Sequence, residues 1–205
     1  LGFTKLLRKN ILTDEEREEY LGIIEEEMKR LYTMANGILN LTKVENQSIL
    51  TNVTEYNLSE QIRLTVLLLE SKWTARNINM NIDFGEYTIN ANEEMMKQVW
   101  INLLDNAIKF SPEGEEISIR ISNKNEHIYV SISGKGPHIE DEEINKIFRK
   151  FYQSDSSHST EGTGIGLALV SRIIELHKGR IEVNSDKNIN TFTAVSYTHL
   201  RAHET

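Results

Sequence analysis

Between residues 20 and 41 the apolar side chains Tyr20, Ile23, Ile24, Leu31, Met34, Ile38 and Leu41 recur at three- and four-residue spacing. That period places them along one stripe of a helix. Thr13 opens it as an N-cap, with Glu16 three residues on completing a capping box, and the pattern runs to about Val44. Residues 1 to 12 read as the end of a preceding helix, so the two form a hairpin. A hairpin this thin buries its stripe either by pairing with a second copy or by packing on the chain's own globular part.

Beyond a polar linker over residues 46 to 57, the pattern changes to short alternating runs between helical stretches. Strands are predicted near Val53 to Tyr56, Ile78 to Phe84, Tyr87 to Asn90, Ile117 to Ser122, His127 to Ser133, Arg180 to Ser185 and Thr191 to Ser196. Helices are predicted over Ser59 to Arg76, Glu93 to Phe110 (stopped by Ser111-Pro112) and Ile165 to His177. The last of these closes on Lys178, with Gly179 as the C′ residue. The polar stretch from Gln153 to Gly162 reads as a loop. Together these elements predict an α/β two-layer sandwich: a mixed, mostly antiparallel sheet with helices on one face, preceded by the helical hairpin.

Composition narrows the function classes. A formal charge of −8 argues against a nucleic-acid partner, because a duplex binder needs clustered Lys and Arg. With no cysteine, disulfides and thiol catalysis are excluded. The longest apolar run, Val66 to Leu69, is too short to span a bilayer. The sequence opens on Leu1 without Met and reads as a piece of a longer chain, so any membrane segment is expected upstream.

Two segments carry candidate chemistry. On the helix ending at Phe110, Asn102, Asn106 and Lys109 share one face, while Val99, Leu103, Leu104, Ala107 and Ile108 form the apolar side. Amides in so apolar a run need polar partners. A hard cation bound to phosphates would serve, as would local capping or loop bonds. The second segment, Gly162-Thr163-Gly164-Ile165-Gly166-Leu167, precedes a helix whose free N–H groups favour an anion. It lacks the lysine of a P-loop and the spacing of a dinucleotide fingerprint.

The ordered set Asn102 to Phe110, Gly134-Lys135-Gly136-Pro137-His138-Ile139, Ile147-Phe148-Arg149-Lys150-Phe151-Tyr152 and Gly162 to Leu169 resembles the four boxes of sensor histidine kinases of the GHKL ATPase superfamily. The resemblance covers about residues 1 to 196. It implies a Bergerat-type site for ATP and Mg²⁺. Asn106 would ligate the metal, Asn102 would support phosphates and metal, Lys109 would contact phosphate, and Phe110 would lie by the adenine. Gly136 belongs to the first glycine box, Phe151 with Phe148 to the box supporting an ATP lid, and Gly162, Thr163, Gly164, Ile165, Gly166 and Leu167 to the second glycine box. It further implies a protein histidine kinase that passes the γ-phosphoryl to a bundle histidine for relay to a response-regulator receiver domain. Residues 1–47 would be part of the dimerisation and phosphotransfer bundle, giving a homodimer, and 48–196 the ATP-binding domain on the cytoplasmic side of a sensor. Another GHKL ATPase, such as a chaperone or topoisomerase relative, leaves the hairpin unexplained.

Three departures stand out. The phosphoacceptor histidine belongs upstream of the segment matched by Leu1 to Leu7, so no autophosphorylation of this chain on itself is expected. His127, His138, His158 and His177 read as ordinary surface, loop or helix-end residues. Gly134 stands where the family carries an acid for the adenine amino group, which predicts nucleotide binding weakened by about 1–3 kcal/mol. The competing expectation is a non-catalytic dimerising scaffold. Residues 197 to 205 do not resemble the family and read as an appended tail.

Overall fold

A computed structural model describes residues 12–125, 127–153 and 162–197, together with Leu7. The expected helix over residues 1 to 12, most of the 153–162 loop and the tail beyond 197 therefore lie outside the described residues. Helix α1 spans Asp14–Glu45 and begins with the expected capping box. The Glu16 N–H donates to Thr13 Oγ1 at 3.2 Å, and the Thr13 N–H donates to Glu16 Oε2 at 2.8 Å. Its apolar stripe divides. Leu41 and Val44 are buried and Met34 packs on the core, whereas Leu31 and Ile38 are 58% and 38% exposed.

Strand β1 (Val53–Asn57) pairs antiparallel with β3 (Thr88–Asn92) in a separate two-stranded sheet. The helix expected over residues 59–76 is two: α2 (Leu58–Leu68) and α3 (Glu70–Ala75). The break falls at Leu69, where the hydrogen bonding changes in a way that periodicity does not reveal. Trp73 Nε1 donates to the Val66 carbonyl at 3.0 Å, a partner that replaces the next helical N–H. Helix α4 (Glu93–Phe110) follows β3 without a loop, because Asn92 ends the strand and caps the helix, its Oδ1 accepting from the Met95 N–H at 3.0 Å.

The main sheet has the order β2-β4-β5-β7-β6, with β2 as Asn79–Asp83, β4 as Glu116–Lys124, β5 as His127–Lys135, β6 as Arg180–Asp186 and β7 as Ile189–Tyr197. The β2/β4 pair is parallel and the others antiparallel, as the mixed reading expects. Side chains alternate across it. Ile117, Ile119 and Ile121 of β4 and Ile128, Val130 and Ile132 of β5 enter the core. The other face is polar, with Ser131 and Thr193 paired at 3.0 Å and Ser133 and Thr191 at 2.9 Å. On the apolar face α4 packs against α2 and against α6 (Gly166–Leu176). A short helix, α5 (Asp141–Ile144), precedes the Phe148–Phe151 segment.

The end of α6 departs from expectation. Lys178, not Gly179, takes the left-handed C′ position, at φ 57°. The Lys178 and Gly179 N–H groups donate to the Glu175 and Ile174 carbonyls, both at 2.9 Å, which completes a Schellman motif. Gly179 is needed one residue later, where a Cβ would run into the Val195 carbonyl of β7. His177, the C-cap, is fully buried rather than an ordinary helix end.

Candidate functional site

The site lies at the C-terminal half of α4, whose position is fixed from behind by Arg76. The Arg76 guanidinium donates from Nη1 to the Ile108 and Lys109 carbonyls at 2.5 and 2.6 Å, and from Nη2 to the Ser111 carbonyl at 2.8 Å. These are carbonyls that the ending helix leaves without partners, and a cation there suits the helix dipole. Of the predicted residues, Asn102, Asn106, Lys109 and Phe110 from α4 join Gly162, Thr163, Gly164, Gly166 and Leu167 around one cleft of about 490 Å³.

The contacts between these segments are close. Asn102 donates from Nδ2 to the Gln98 carbonyl at 2.7 Å, and its Oδ1 lies 2.7 Å from where a Cβ on Gly166 would be. A Cβ on Gly162 would stand 2.6 Å from Lys109 Nζ. The lysine ammonium also lies 4.8 Å from the centroid of the Phe110 ring. Among the described residues, helix α6 starts without a side-chain cap and without an acid in its first turn, which leaves its leading N–H groups toward the cleft without a side-chain partner there. Asn106 makes no hydrogen bond among the described residues, which leaves its amide oxygen available to a ligand. That suits a hard cation such as Mg²⁺, which takes one or two protein oxygens and completes its shell with phosphates and water. Among the described residues there is no cluster of three His, Asp or Glu that would hold a metal alone.

Three predicted residues stand off the cleft wall. Ile165 is buried, and its Cδ1 sits 3.3 Å from where a Cβ on Gly37 would be, so it joins α6 to α1. Gly136 packs beside Phe110. Phe151 is 54% exposed, and its contribution is backbone. Its N–H donates to the Gly164 carbonyl at 2.8 Å, and Gly164, at φ 66°, leaves no room for a Cβ against the Phe151 backbone.

Periodicity and motif reading missed several lining residues. Glu26, Lys29, Arg30 and Thr33 of α1 form one wall, and Ser111, Ile132, Asn190 and Phe192 lie toward the sheet. Asn190 is far from any box in sequence. The only sequence signal for it was strand alternation, which puts it on the same face as Phe192.

Residues 91–201 match the family of histidine kinase-, DNA gyrase B- and HSP90-like ATPases, and the chain belongs to that family. Among curated relatives it is 28% identical to the probable sensor kinase SilS of Salmonella typhimurium, over 88% of this chain and 37% of that protein. It is 30% identical to the circadian input-output histidine kinase CikA of Synechococcus elongatus, over 85% of this chain and 24% of the relative. The chain thus spans well under half the length of these relatives. Among solved structures, the catalytic domain of histidine kinase ThkA superposes with a TM-score of 0.66 at 31% identity, covering 72% of this chain and 97% of that one. ThkA in complex with the response regulator protein TrrA gives 0.80 at 29% identity, covering 97% of this chain and 56% of that one. The fold is that of sensor histidine kinase catalytic domains, with a helix preceding the sheet, as the boxes implied.

Proposed function

We propose that this chain is the ATP·Mg²⁺-binding catalytic part of a sensor histidine kinase, which in the longer protein transfers the γ-phosphoryl group to a histidine of a helical bundle. The observation that carries this reading is the convergence of Asn102, Asn106 and Lys109 with the glycine segment and the uncapped start of α6 around one cleft. The leading N–H groups of α6 bind phosphate oxygens, and Lys109 offsets their charge. Phe110 flanks the base. Asn106 holds the metal, with Asn102 beside it. When bound, Mg²⁺ would supply charge neutralisation on the phosphates. The chain's own residues contribute positioning and electrostatics rather than covalent chemistry, as phosphoryl transfer requires.

The same reading divides the chain into a bundle segment (1–47), an ATP-binding domain (48–196) and an unrelated tail (197–205). It gives a homodimer through the exposed stripe of α1, a response-regulator receiver as phosphoryl acceptor, and a place on the cytoplasmic side of a sensor. Among the described residues no helix is long and apolar enough to cross a membrane. Titration with a fluorescent ATP analogue, with and without Mg²⁺, tests the site. Saturable binding that Mg²⁺ tightens is expected, with Asn106→Ala losing the Mg²⁺ effect. Absence of binding in the native chain would leave the non-catalytic scaffold.

A further inference from the structure

Gly134 sits on β5 directly across from Asn190 of β7, so the two face the same side of the sheet, toward the helices and the cleft. A side chain at 134 would be crowded at its first atom. Its Cβ would lie 2.9 Å from Ser111 Oγ and 3.3 Å from Ile117 Cγ1, and Ser111 is only 1% exposed. The Ser111 hydroxyl thus crowds the position that the Cβ of an acid would take.

Asn190 is held from the other side. Its Nδ2 donates to the Pro137 carbonyl at 2.8 Å, and because a carbonyl only accepts, this bond determines which end of the amide is oxygen. The same Nδ2 lies 3.0 Å from where a Cβ on Gly136 would be, so the amide lies against that glycine. What remains is Asn190 Oδ1, shielded from water and without a hydrogen-bond partner among the described residues; Ser111 Oγ is in the same condition. Buried polar atoms in folded chains rarely lack partners, and both of these belong to residues that line the cleft, which points to a ligand.

We propose that Asn190 is the specificity-determining residue at the base end of this cleft, its Oδ1 accepting a hydrogen bond from the exocyclic amino group of adenine in place of the carboxylate that Gly134 lacks. This rests on the reading of the cleft as a nucleotide site. An amide oxygen is a weaker acceptor than a carboxylate, but it is neutral and needs no compensating cation. It also discriminates. A purine bearing a carbonyl at the same position would set two acceptors against each other, and a purine with no group there would leave Oδ1 unpaired.

The test compares Mg²⁺-loaded binding of ATP and of purine riboside triphosphate, which lacks only the amino group. The native chain should prefer ATP by about ten-fold, the scale of one buried hydrogen bond. Asn190→Leu, close in volume but without an acceptor, should bind the two alike, and Asn190→Asp should keep the preference. Thermal melting checks that each variant is folded, and Asn190→Ala removes the same acceptor should the leucine not be accommodated. A folded Asn190→Leu that keeps the native preference overturns this inference while leaving the nucleotide site standing. A native chain that binds neither triphosphate overturns both.

Discussion

His177 and Asn92 join the two helices that carry the site. The imidazole lies at the end of α6, with Nδ1 2.7 Å from the Ile173 carbonyl and Nε2 3.1 Å from the Asn92 backbone nitrogen. A carbonyl must be given a proton and an N–H needs an acceptor, so the ring is neutral with its hydrogen on Nδ1. Burial lowers its pKa below the ordinary value of 6.5, and the bond to Ile173 opposes this only in part. The folded chain thus binds fewer protons here than the unfolded chain as pH falls through and below 6.5. Stability is complete above that value and declines as the pH drops. Thermal melting across pH 7.5 to 5 should show this decline. His177→Leu should be less stable at pH 7.5 by about 1–3 kcal/mol, because the Asn92 N–H loses its acceptor, and its slope should be flatter. A slope unchanged in the variant would place the titration elsewhere. A sequence reading could find His177 at a helix end, as it did. It could not find the burial, because the partner, Asn92, is 85 residues away.

Helix α4 was the element most legible in the sequence, from its apolar side to its stop at Ser111-Pro112, because period and punctuation are local. Its anchoring was not legible, since Arg76 acts across the fold on carbonyls that every helix end leaves open. Replacing Arg76 by Ala removes three charge-assisted bonds and should cost about 2–4 kcal/mol in chemical denaturation. It should also weaken ATP-analogue binding, because Lys109 and Phe110 lie on the turn that Arg76 holds. Arg76→Lys should recover little, as one ammonium cannot reproduce the fork. The split of α2 from α3 and the left-handed Lys178 were hidden for the same reason. The first coincides with a side-chain bond from Trp73 to a backbone carbonyl, and the second goes with the need for glycine one residue later against Val195; residue type and period encode neither.

At the scale of the molecule, order along the chain was readable and assembly was not. The glycine boxes announced themselves, whereas Gly134 and Asn190 come together only when β5 and β7 pair. The α1 stripe shows the same limit: one periodic pattern serves two surfaces, with Leu41 and Val44 inside and Leu31 and Ile38 outside. If the outer part pairs with a second copy, Leu31→Glu with Ile38→Glu should shift the chain from dimer to monomer in sedimentation velocity. Its melting temperature at monomer concentrations should stay the same. A native chain that is monomeric at all concentrations would count against pairing through this face.

The bond from Phe151 to the Gly164 carbonyl has a consequence for how this fold can change over time. It ties together the two ends of the intervening segment, much as a knot at the neck closes a bag whatever the bag contains. The cost of closing a chain loop grows only with the logarithm of its length, so doubling that segment adds about 0.6 kcal/mol. By that scale, a change in the number of residues between 153 and 162 costs little in closure, whereas Gly162 and Thr163, which line the cleft, are bound to their places. The requirement for glycine at 164, where a Cβ would strike the Phe151 backbone, holds the neck to one residue type.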